Sequence, residues 1–162
     1  MATRSPAINV MVKAAMKATR QLLHDFNEVE QLQVSKKGPA DFVSNADTAA
    51  ENTIVDELKY ARRDYGFLLE EGNEIESKDE LKRRWIIDPL DGTTNFLHGI
   101  PHFAISIALE EAGEIVSAVI YEPTRDELFW AEKGKGAYLN DRRLRVSARR
   151  NLEDSVFATG IP

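Results

Sequence analysis

The sequence predicts an α+β domain in which two long helices pack on a largely antiparallel sheet. Three observations carry that prediction. Up to Ala61 the apolar residues recur at helical spacing. From His102 onward they fall into short alternating runs separated by turn signals. Between these regions stands one strand, Trp85-Ile86-Ile87, apolar on successive positions and therefore expected to be a central strand covered on both faces.

The elements follow in order. From Pro6 to about Val29, the residues Ile8, Met11, Ala15, Met16, Leu22, Leu23, Phe26 and Val29 lie three and four apart along one helix face. "KKGPA" then reads as a loop between Gln31 and Ala40. Ser44 and Asp47 have the spacing of a capping box, so a second helix is expected to begin there and to carry Ala50, Ile54, Leu58 and Ala61 on one stripe, ending at "RDYG". Phe67-Leu68-Leu69 reads as a strand leading into Glu70 and Glu71, and Asn73 to Arg84 as a charged surface excursion. His102 to Leu109, Glu114 to Tyr121 and Glu127 to Glu132 are strands of a meander, which continues through a tight turn at Asn140-Asp141. Helices followed by hairpins favour an α+β layered domain over a repeating βαβ fold.

Composition sets bounds on function. With 162 residues and 43% hydrophobic content, the chain can bury about 70% of its unfolded surface, enough for one core. A net charge of -6, from 27 acidic and 21 basic residues, argues against direct nucleic-acid binding, which calls for a basic face. There is no cysteine, so disulfides and thiolate metal sites are excluded. No stretch is long and apolar enough to span a membrane, and the N-terminus lacks a signal-type segment. A cytoplasmic protein is the simplest expectation.

The chemistry concentrates where the apolar strand ends. Asp88 and Asp91 flank Pro89, whose fixed φ is expected to bend the chain as it leaves the strand and to turn both side chains toward one point. Clustered carboxylates are costly to desolvate and repel one another, so they call for water or a cation. With the Leu90 carbonyl between them they form a hard-oxygen set suited to magnesium. Gly92 permits a close backbone approach, and Thr93-Thr94-Asn95 reads as the first turn of a helix, whose free N–H groups favour an anion. On its own, D-P-x-D-G could equally be a turn with a capping aspartate. Asp47, likewise, could do no more than close its capping box, and His24, His98 and His102 show no ligand spacing.

"DPLDGTTNF", with "EE" upstream and "DFVSNAD" before that, resembles the inositol monophosphatase family of magnesium-dependent, lithium-sensitive phosphatases. The similarity spans nearly the whole chain and is most specific from Trp85 to Leu109, where it resembles the bacterial branch. The resemblance implies a layered αβαβα sugar-phosphatase fold, of which this chain would be the N-terminal α/β half. It implies a phosphomonoesterase acting on inositol monophosphate or a related polyol or sugar monophosphate, and a homodimer when full length. Glu70, Asp88, the Leu90 carbonyl and Asp91 would be magnesium ligands, with two or three ions in the complete enzyme. Glu71 would stand behind them. Thr93 would hydrogen-bond the attacking water while Asp47 orients and deprotonates that threonine, Glu70 would share in catalysis, and the Gly92 and Thr93 amides would hold the phosphate. Lys36, or Lys37 with a one-residue shift, would lie near that phosphate.

The chain also departs from the family's pattern. Leu69 stands where a glycine usually precedes the glutamate pair, and Gly72-Asn73 follows it, so a shifted backbone at Glu70 is expected. Family members run about a hundred residues further and carry a Trp-Asp motif that completes a second metal site; no Trp-Asp pair occurs here. The 162-residue chain is therefore expected to turn over poorly by itself. The competing reading is a non-catalytic binding or regulatory module that retains the fold.

Overall fold

The computed structural model describes residues 3–32 and 39–159, and side chains outside 30–44. Helix α1 (Pro6–Leu32) opens with Pro6 in its first turn and with Ser5 Oγ accepting the Ile8 N–H at 3.3 Å, an ordinary N-terminal cap. Its buried face carries Ile8, Met11, Ala15, Ala18, Leu22 and Val29, as the spacing predicts, whereas Met16 is turned outward at 44% exposure. Helix α2 (Pro39–Ala61) begins earlier than its sequence suggests. Proline has no N–H to lose and a preset φ, so Pro39 suits the first helical position and Ser44 falls inside the helix instead of capping it. Ala46, Ala50, Ile54 and Leu58 form its buried stripe. Glu57 pairs with Lys13 and, at 3.1 Å, with Lys17, tying α2 to α1.

Among the described residues, seven strands form one sheet whose spatial order is its chain order. Strand β1 (Gly66–Leu69) runs parallel to β2 (Arg84–Asp91). The others, β3 (Ala104–Glu111), β4 (Glu114–Glu122), β5 (Glu127–Glu132), β6 (Gly136–Leu139) and β7 (Arg142–Arg143), follow as antiparallel neighbours. The charged excursion is not purely surface: Ile75 forms an antiparallel bridge with Phe67, each N–H donating to the other's carbonyl at 2.8 Å. A Cβ on Gly66 would lie 2.6 Å from the Ile75 carbonyl, so the bridge requires glycine there.

Both long helices cover one face of the sheet. That face carries Trp85, Ile87, Ile105, Ile107, Val119 and Trp130, all buried. The expectation that the Trp85 strand is covered on both faces is therefore corrected: Ile86 points to the opposite face and is only half-buried. Register continues that second face as Ile86, Ala108, Ala118, Ala131 and Ala137 across five strands. A short helix, α3 (Thr93–Leu97), follows β2, and its Phe96 packs with Phe26 of α1 and with Phe103, ring centroids 5.0–5.4 Å apart. Among the described residues no helix is long and apolar enough to cross a membrane.

Candidate metal and phosphate site

Strand β2 does not stop at Asp88. It continues to Asp91 through a bulge: Asp88 lies opposite Ser106 and Asp91 opposite Ala104, three steps on β2 against two on β3. In a regular strand, residues three apart point to opposite faces. The extra residue cancels that alternation and sets both aspartates against the face shared by Ser106 and Ala104. Pro89 lies within the bulge, where a missing N–H costs no ladder bond. The sequence suggests a bend on leaving the strand; the structure instead has a bulge that sets both aspartates on one face while pairing continues.

Around this bulge the acids accumulate. Asp88 is half-buried, and its Oδ1 accepts the Leu90 N–H at 3.2 Å. Burial pushes its pKa up to about 7, reinforced by a hydrogen bond shared with Glu70 and by the charges of Glu70 and Asp91. Two carboxylates share a hydrogen bond only when one carries a proton. Asp47, on α2, is only 3% exposed, and among the described residues its Oδ1 has no hydrogen-bond partner. Its pKa also rises to about 7, first through burial and then through the charges of Glu71, Glu70, Asp88 and Glu51. Four carboxylates thus raise the proton affinity of one buried group, and a cation among them would relieve the same repulsion.

One of these acids is not singled out by the sequence reading. Glu51 lies one helical turn after Asp47, is buried, and accepts the Glu71 N–H on Oε2 at 3.0 Å, fixing the segment that follows β1. Two acids at i and i+4 within the apolar stripe of α2 are the signal that marks it. A Cβ on Gly72 would meet Glu51 Oε1 and Leu69 Cδ1, each at 2.8 Å. Leu69 itself stays within β1, in register with Ile87 and without positive φ. Leucine before the glutamate pair is thus accommodated by the absence of a side chain at Gly72.

On the other side of the bulge, Gly92 has φ 98° and begins α3. A Cβ there would lie 3.0 Å from the His102 carbonyl and 3.2 Å from Phe103 Cα, so glycine is required by both conformation and space. The Thr93 hydroxyl donates to the Leu90 carbonyl at 3.0 Å. That carbonyl keeps a second lone pair. Glu70, Glu71, Asp91 and Thr93 are exposed, Leu90 is buried, and Lys36 and Lys37 lie outside the described residues.

Among the described residues no three of His, Cys, Asp and Glu stand close enough to hold an ion as they are. The donors nevertheless suit a hard divalent cation: three carboxylates at the strand ends, a carbonyl, and the unpartnered buried Oδ1 of Asp47.

Known proteins share this sequence and fold. The sequence model of the inositol monophosphatase family matches residues 3–162. The chain is 63% identical over 159 residues to the inositol-1-monophosphatase of Rhizobium meliloti, covering 98% of this chain and 59% of that protein. It is 43% identical over 157 residues to the Nus factor SuhB of Escherichia coli K12, covering 97% and 58%. Among solved structures, the extragenic suppressor protein suhB of Bartonella henselae superposes with a TM-score of 0.82 at 57% identity, over 93% of this chain and 58% of that one. The Thermotoga maritima IMPase does so at 0.72 and 33% identity, over 89% and 55%. The chain thus spans about three fifths or less of the length of these relatives. Identity at this level over almost every residue of the chain makes it a member of the inositol monophosphatase family.

Proposed function

We propose that this chain supplies the metal- and phosphate-binding part of a magnesium-dependent phosphomonoesterase acting on inositol monophosphate or a similar polyol or sugar monophosphate. One observation carries the reading: the β2 bulge aims Asp88 and Asp91 the same way, beside Glu70 and the buried, unpartnered Asp47. Glu70, Asp88, the Leu90 carbonyl and Asp91 would hold magnesium, with Glu71 and Glu51 behind them. The ion, when bound, supplies Lewis-acid stabilisation of the phosphoryl oxygens and makes water a better nucleophile at neutral pH. The Gly92 and Thr93 amides, at the start of α3, would hold phosphate oxygens. Thr93 would orient the attacking water and Asp47, with its raised proton affinity, would accept the proton through Thr93. Lys36 or Lys37 would add positive charge beside the phosphate. We place the protein in the cytoplasm, acting as a homodimer at its relatives' length.

Relatives named Nus factor SuhB favour a second reading, a regulatory module that keeps the fold. Phosphate release from inositol, glycerol and hexose monophosphates in millimolar magnesium separates the two, measured at the relatives' full length. The phosphatase reading expects turnover that Asp88→Asn abolishes while the fold persists. Magnesium binding without turnover of any ester supports the regulatory module instead.

A further inference from the structure

The turn between β4 and β5 reaches the site through hydrogen bonds joined by one peptide step, Pro101 to His102, and none of its residues belongs to the metal or phosphate set. Glu122, at the end of β4, is buried, and its Oε1 accepts both the Thr124 N–H at 3.0 Å and the Thr124 hydroxyl. The same hydroxyl lies 3.1 Å from the Pro101 carbonyl and shares its one proton between the two acceptors. Pro101 leads into His102, whose carbonyl accepts the Asn95 side-chain amide at 2.8 Å. That carbonyl, with Phe103 Cα, forms the wall a Cβ on Gly92 would strike. Glu122 also lines, with Asp91, Gly92 and Asn95, one cavity of about 170 Å³.

We propose that Glu122 and Thr124 form a positioning device. By fixing the 98–103 loop they hold the Gly92–Thr93 turn at the angle its amides need to meet a phosphate. The proposal rests on the reading of that turn as the phosphate holder. The hydroxyl of Thr124 acts through Pro101 and His102, and the buried carboxylate of Glu122 keeps that hydroxyl in place. A buried carboxylate spent on a turn so close to the site is costly unless the turn's geometry matters.

Hydrogen–deuterium exchange read by mass spectrometry tests this on the 162-residue chain and its Thr124→Val and Thr124→Ser variants, at micromolar concentration. Each is examined alone and with inorganic phosphate in magnesium buffer. In ligand-free Thr124→Val, the peptide covering 90–103 should exchange roughly ten-fold faster, the loss expected for one such hydrogen bond. The phosphate concentration giving half-maximal protection should rise by about the same factor. Thr124→Ser, which keeps the hydroxyl, should match the parent in both. A role confined to packing predicts failure of the serine variant to rescue, and that result overturns the proposal. Unchanged exchange in Thr124→Val overturns it too, leaving the phosphate reading intact. Absence of phosphate protection in every protein, the parent included, defeats the phosphate reading itself.

Discussion

Asp47 is one of two carboxyls in the site, with Asp88, whose proton affinity is strongly raised. Its folded pKa of about 7 lies above its ordinary value of 3.8, so the folded chain binds the proton more tightly than the unfolded one. Stability from this group is present below about pH 4 and is lost as pH rises toward 7. Asp47→Asn should therefore leave the melting temperature unchanged near pH 4. At pH 8 it should raise stability by about 2 kcal/mol, or roughly 5 °C. Thermal melts across that range check it, and equal effects at both ends would contradict the assignment. Gly92 sets the opposite kind of constraint. Gly92→Ala meets strained φ and backbone atoms at 3.0 and 3.2 Å, so it should cost about 2–3 kcal/mol in denaturant unfolding and weaken phosphate binding.

At the scale of elements, the site depends on β2 and α3 being held from the helix side. Phe96 is fully buried between Phe26 and Phe103, so Phe96→Ala should cost about 3–4 kcal/mol and loosen the start of α3. Denaturant melts give the first number, and exchange of the 92–97 amides shows the second. The hairpins from β3 to β7 were legible because alternation is a property of each strand by itself, as in "EIVSAVIY" and "ELFWAE". The beginning of α2 was not: Ser44 and Asp47 offered a capping box, but Pro39 upstream satisfied the same need at less cost. Asp88 and Asp91 were legible as a pair, yet the bulge that aims them depends on the register against Ser106 and Ala104, which β2 alone does not encode. Glu51 was hidden for a related reason. Its partner is the Glu71 amide, twenty positions away, and only the packing of α2 on β2 brings them together.

At the scale of the whole molecule, one side of the sheet is covered by α1 and α2, while the other presents Ile86, Ile120, Phe129 and a row of alanines. Ile120 is 45% exposed, and such a face favours association. Sedimentation velocity should show the 162-residue chain associating as concentration rises, with Ile120→Lys shifting it toward monomer; a monomer at every concentration would contradict this. Asp88 adjoins the same face through its partner Ser106, so the site lies where the uncovered surface meets the acidic cluster. The central claim is that this cluster is a cation site and not merely a set of turn residues. Calorimetric titration of magnesium at pH 8 tests it most directly, comparing the parent chain with Asp88→Asn and, as a distant acid control, Glu57→Gln. A cation site here binds magnesium saturably in the parent and in Glu57→Gln, and Asp88→Asn weakens that binding at least ten-fold, about 1.4 kcal/mol. Equal magnesium affinity in parent and Asp88→Asn, or no saturable binding in either, would contradict it.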